Sequence, residues 1–119
     1  YDLVIRRYDA DPAERIQVLI YASGPLAMEH RVEAGTLPSP ADSANPGMVT
    51  VGAVPLDTPD VIEAYSSRGP TVDGRVKPDL VAADCMATAT YGLFCGTSAS
   101  APLTTGAAVL ALDLNQLLR

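Results

Sequence analysis

Tryptophan is absent, phenylalanine occurs once, and the 119 residues include a single histidine and only two cysteines. The scarcity of large rings excludes an aromatic-rich core, so Ala, Val, Leu and Ile must supply the close packing. Two cysteines are too few for a disulfide scaffold. With no second cysteine pair and with His30 remote in sequence, zinc-ligand spacing is absent as well. Cys85 and Cys95 leave two readings open, one disulfide closing a short loop or two buried thiols. Basic residues are also scarce. Eight Lys and Arg against 14 Asp and Glu give a net charge of −6, which argues against nucleic acid or an anionic membrane surface as a partner. No run of about 18 apolar residues occurs, so no membrane-spanning helix is expected. The chain opens Tyr1-Asp2-Leu3 with neither Met nor a signal sequence, and the true N-terminus is expected to be missing or processed away.

What is present suits a small globular domain. Hydrophobic residues make up 48% and charged ones 18%, well outside the disordered range. Residues 1–7, 16–21 and 28–32 read as short strands broken by turn clusters, so residues 1–34 are expected to be antiparallel β. Residues 37–47 hold three prolines and no periodicity, marking a loop or boundary before a second unit at 35–119. Residues 48–54 (MVTVGAV) are apolar at nearly every position, as in a strand buried on both faces. Shorter strand signals follow at 62–67 and 80–83, then a hairpin over 86–95. From Ser98 to about Leu112 small and apolar residues dominate, predicting a helix apolar nearly all round and therefore buried. The whole reads as an α/β fold.

Gly96-Thr97-Ser98 falls between a strand and that helix. A serine at a helix N-terminus faces unpaired backbone N–H groups and the positive end of the helix dipole. Such donors can hold the oxyanion formed when a hydroxyl attacks a carbonyl. Gly96 allows a sharp turn there. Pro102 lies four residues past Ser98, inside the helix, where a proline costs roughly 3 kcal/mol. Rules of this kind are broken most often at functional sites. The plain alternative is a simple N-cap. Two other serine-enzyme patterns fail, because Ser100 stands where G-x-S-x-G needs glycine and Ala101 where S-x-x-K needs lysine.

The longer string Gly96-Thr97-Ser98-Ala99-Ser100-Ala101-Pro102 resembles the nucleophile segment of subtilisin-like serine proteases. Four further segments in the same order strengthen the resemblance. Tyr91-Gly92-Leu93-Phe94 looks like the strand into the nucleophile, and Lys77-Pro78-Asp79-Leu80-Val81-Ala82-Ala83 like a K-P-D-[hydrophobic]-x-A-P segment. Tyr65-Ser66-Ser67-Arg68-Gly69-Pro70 is similar to an [FY]-S-S-x-G-P turn, and residues 49–54 to a V-x-x-V-G-A strand. The resemblance implies the C-terminal portion of a subtilisin-like parallel-sheet domain, with residues 1–34 as the β-rich tail of an inserted β-sandwich.

The resemblance also implies chemistry. Ser98 would be the nucleophile and its own backbone N–H part of the oxyanion hole, acting on a protein or peptide substrate. Phe94, Gly96 and Thr97 would line the substrate cleft, with Phe94 on the leaving-group side. The catalytic Asp and His belong upstream in this family's chain order. His30 lacks the H-G-T setting and is read as a surface or strand residue. Pro25 stands where an oxyanion asparagine would be sought. Cys85 follows the K-P-D strand, which should run close to the segment before Gly96, and this favours a Cys85–Cys95 disulfide. Leu103 replaces a common histidine, Ala83 a proline, and Asp84 a glycine. No cofactor or metal is expected, although calcium in a longer protein stays open, and the family points to secretion. Alone, the chain is expected to be inactive and to self-associate. The competing readings are a non-catalytic pseudo-enzyme and a β-sandwich interaction module.

Overall fold

The computed structural model describes residues 4–6, 8, 16–21, 26–30, 32 and 34–117. Its centre is a two-stranded parallel sheet, β1 (Val51–Val54) beside β2 (Leu80–Ala83), in the register Val51↔Leu80 to Val54↔Ala83. Parallel pairing needs a long return connection, which residues 55–79 provide without a helix. Ala53 and Val54 of β1 are among the few fully buried apolar side chains. Gly52 is needed here, because a Cβ would press on the Pro78 ring, the Ser66 hydroxyl and the Val81 side chain at 3.0–3.1 Å.

The apolar run expected as a strand from residue 48 becomes one only at Val51. Just before it, Thr50 N–H donates to Asp79 Oδ2 (2.7 Å), while Thr50 C=O accepts from Asp79 N–H (2.9 Å). The predicted strand at 62–67 is a turn instead. Val61 and Ser66 N–H donate back to the Thr58 and Glu63 carbonyls, so their backbone is used locally. What remains seals the outer edge of β1. Glu63 N–H reaches Ala53 C=O (2.9 Å), and the buried Ser66 hydroxyl accepts from Ala53 N–H (3.0 Å).

β3 (Met86–Thr88) and β4 (Gly92–Phe94) form an antiparallel hairpin, where a hairpin was expected. Thr88 Oγ1 accepts from Tyr91 N–H and donates to Gly92 C=O, both at 3.0 Å, and Gly92 turns the chain at φ +65°.

α1 (Thr97–Leu117) is longer than the sequence suggested. Its first turn packs on the sheet, with Ala99 and Ser100 buried. The expectation of burial all round is not met, since Val109, Leu110, Leu112 and Leu114 are exposed. The reason is one of size. A helix of 21 residues spans about 31 Å at 1.5 Å per residue, whereas strands of four residues extend only about 13 Å. In the region expected to be antiparallel β, the described residues 4–6, 16–21 and 26–30 form no strand. Nor do residues 8, 32 and 34, and the remaining residues of that region, Pro25 among them, lie outside the described ones.

Candidate active site

The turn between β4 and α1 is held from two sides. Cys85 and Cys95 are joined by a disulfide at the rung that follows Met86↔Phe94 in the hairpin register. One residue further out on each strand, Gly96 N–H donates to Asp84 Oδ2 at 3.1 Å. Asp84 is fully buried and fixed in turn by its own N–H on the Val54 carbonyl (3.1 Å). Gly96 adopts φ +110°, a conformation in which a side chain would be strained. Its carbonyl then accepts from Ala99 N–H (2.8 Å) and Ser100 N–H (3.3 Å).

The first four N–H groups of a helix lack intrahelical acceptors. Here Gly96 takes two of the four, and the N–H groups of Thr97 and Ser98 have no acceptor among the described residues. Ser98 is exposed, and its hydroxyl makes no hydrogen bond among them. A serine hydroxyl, two free donors and a helix dipole thus meet at one accessible point. That arrangement can stabilise negative charge on an oxygen next to Ser98.

Pro102 sits inside α1 and leaves the Ser98 carbonyl without its usual donor four residues on. Thr104 and Thr105 donate their hydroxyls to the Ser100 (3.1 Å) and Ala101 (3.0 Å) carbonyls, as such residues do in helices. Phe94 is partly exposed at the end of β4 and lies against Tyr91, ring centroids 5.8 Å apart. Thr97 is the first residue of α1. His30 plays no part in this cluster, since its imidazole is 92% exposed and faces Glu29 at 3.8 Å.

The K-P-D segment acts at the other end of the sheet. Lys77 is buried, with its ammonium 2.6 Å from Asp79 Oδ2 and 3.3 Å from the Met48 carbonyl. The hydrogen bond from Lys77, then that from Thr50 N–H, hold the Asp79 carboxyl below its ordinary pKa. Asp73 is lowered to about 2 by the Arg75 guanidinium first and the Thr71 hydroxyl second. Arg75 also donates to the Asp42 (2.6 Å) and Ser43 (2.8 Å) carbonyls, pinning the proline-rich loop.

Residues 8–119 match the family model of the subtilases. The chain belongs to the subtilase family. No solved structure matches it. The family's members are serine-type peptidases, and the mixed α/β architecture with a parallel sheet and a helix is that of a piece of such a domain. In this subtilase the [FY]-S-S-x-G-P and K-P-D segments position β1 and β2, while the G-T-S segment opens α1. The residue that sequence reasoning undervalued is Asp84, noted only as a departure from glycine. An acid in an otherwise apolar run from Leu80 to Ala87 was the available signal. Among the described residues no group of three or more His, Cys, Asp or Glu is placed to hold a metal ion. None of the helices they form is long and apolar enough to cross a membrane.

Proposed function

We propose that this subtilase chain carries the nucleophile of a secreted serine endopeptidase, and that Ser98 is that nucleophile. The observation that carries the reading is the exposed Ser98 at the start of α1, with its own N–H and that of Thr97 without an acceptor among the described residues. Ser98 Oγ attacks the scissile carbonyl of a protein or peptide substrate as its proton passes to a histidine, itself oriented by an aspartate. The carbonyl oxygen becomes an oxyanion held by Ser98 N–H. As the C–N bond breaks, the leaving amine takes the proton and an acyl-enzyme remains, which water hydrolyses. In the family's chain order the aspartate and the histidine precede the serine. The exposed apolar residues of α1, Val109, Leu110, Leu112 and Leu114, suit a surface against which the segment carrying them packs.

Reaction with a fluorophosphonate probe tests this. A protein extended N-terminally to include the triad partners labels at Ser98, and Ser98→Ala abolishes the label. The chain of residues 1–119 alone labels weakly or not at all, because no base accompanies the serine. Strong labelling of the chain alone, or label persisting in the extended Ser98→Ala protein, contradicts the assignment.

A further inference from the structure

Two buried polar atoms under the first turn of α1 have no hydrogen-bond partner among the described residues, Asp84 Oδ1 and Ser100 Oγ. Both residues are fully buried. Leaving such groups unpaired in an apolar interior is costly, so their joint presence calls for an explanation. Asp84 comes directly after β2, and its Oδ2 already holds Gly96 N–H. Ser100 N–H is bound to Gly96 C=O. Gly96 thus links the two residues through its own amide and carbonyl. Asp84 Oδ1 and Ser100 Oγ are not bonded to each other, so the hydrogen bond of Oδ2 to Gly96 is the contact by which Asp84 holds the turn.

We propose that Asp84 is a positioning residue for the nucleophile, acting through the hydrogen bond that its Oδ2 accepts from Gly96 N–H. The carboxylate fixes the peptide plane of Gly96, and with it the direction of the two free N–H groups that follow. The neighbouring Cys85–Cys95 disulfide ties the same two segments covalently, so it fixes their separation while Asp84 fixes their orientation. Asp84 also lies below the helix N-terminus, where the positive end of the dipole favours a carboxylate. This role rests on the reading of Ser98 as a nucleophile only in its consequence for turnover. The clamp on Gly96 stands independently of it.

The test has two readouts chosen to separate those claims. Amide hydrogen exchange at Gly96, followed by NMR in the chain, reports the clamp whether or not the protein is a protease. A hydrogen bond to a carboxylate is worth enough that its loss in Asp84→Ala lowers Gly96 protection about 10- to 100-fold. Asp84→Asn keeps an acceptor of the same shape and loses less. Ser100→Ala, which leaves Asp84 Oδ2 and the Ser100 N–H bond to Gly96 in place, is the control and leaves Gly96 protection unchanged. If Asp84→Ala does not fold, Asp84→Gly, which also removes the acceptor, decides in its place. Gly96 exchange unchanged in a folded Asp84→Ala or Asp84→Gly overturns the clamp. In the N-terminally extended protease, the Asp84→Ala substitution lowers kcat about 100-fold, the effect of misplacing a reacting group by about 1 Å, while KM changes less than about threefold. Asp84→Asn restores most of the rate. Loss of protection at Gly96 with kcat unchanged refutes the positioning role. If the wild-type extended protein itself shows no turnover, the nucleophile reading fails and the exchange result still decides the clamp.

Discussion

Removing the Cys85–Cys95 bond offers the most quantitative test of how the turn between β4 and α1 is held. The perturbation is the double replacement Cys85→Ser with Cys95→Ser, or reduction of the native protein. The bond links residues 10 apart, a closed loop of about 11 residues, for which the chain-entropy relation gives about 2.8 kcal/mol at 25 °C. Little else stabilises the hairpin. Its three rungs bury few side chains, and both Leu93 and Tyr91 are exposed, so apolar burial offsets little of the lost cross-link. Against a typical total of about 5–15 kcal/mol, this is a large share. Urea unfolding followed by far-ultraviolet circular dichroism should show a drop of about 2–3 kcal/mol, and thermal melting a fall of about 10 °C, taking roughly 4 °C per kcal/mol. Because the bond acts chiefly by restricting the unfolded chain, the urea slope should rise slightly rather than fall. A loss below about 1 kcal/mol would refute the reasoning. It would mean that native contacts of the hairpin, rather than the cross-link, close the turn.

Other substitutions probe the sheet and its supports. Ser66→Ala removes the acceptor of the buried Ala53 N–H and should destabilise by about 1–3 kcal/mol in denaturant titration; an unchanged midpoint would show that water or another group replaces the hydroxyl. Gly69→Ala places a Cβ against the Lys77 carbonyl oxygen, and the Gly69–Lys77 hydrogen bond of 2.8 Å must then lengthen. Melting should fall well below that of a Gly106→Ala control, a helical position where no atom lies within 4 Å; equal shifts count against the close approach. The acid side of the stability profile follows from Asp73 and Asp79. Both carboxyls have lowered pKa values when folded, so the unfolded chain binds more protons and stability is lost as pH falls. For Asp73 the window runs from its ordinary value of 3.8 down to about 2. Unfolding between pH 5 and 2 should show that loss, and Asp73→Asn should flatten part of it; an identical slope in the variant argues against the Arg75 and Thr71 contacts.

Much of the site was legible because short motifs encode local geometry. Gly96 had to be glycine for a left-handed turn, and a small-residue helix had to follow it; both depend on neighbours in sequence. The hairpin between the cysteines was readable for the same reason. Longer-range relations were not. Residues 62–67 carry a strand's composition, yet they turn, because Ser66 and Glu63 are drawn to Ala53. Residues 16–21 have strand composition as well, and among the described residues nothing pairs with them. The helix looked buried because apolar residues surround it, but a sequence states what a surface needs and not what covers it.

The sequence by itself determined the family and the order of its segments, since each is written in contiguous residues whose backbone demands are local. Only the tertiary structure decided that the N–H groups of Thr97 and Ser98 have no acceptor among the described residues, and that Lys77 and Asp79 anchor the start of β1. Only it showed that Asp84 lies fully buried beneath the turn. The contacts of Asp84 with Gly96, and of Asp79 and Lys77 with Thr50 and Met48, join positions 12 and 29 residues apart. Folding fixes such distances, and composition carries no record of them.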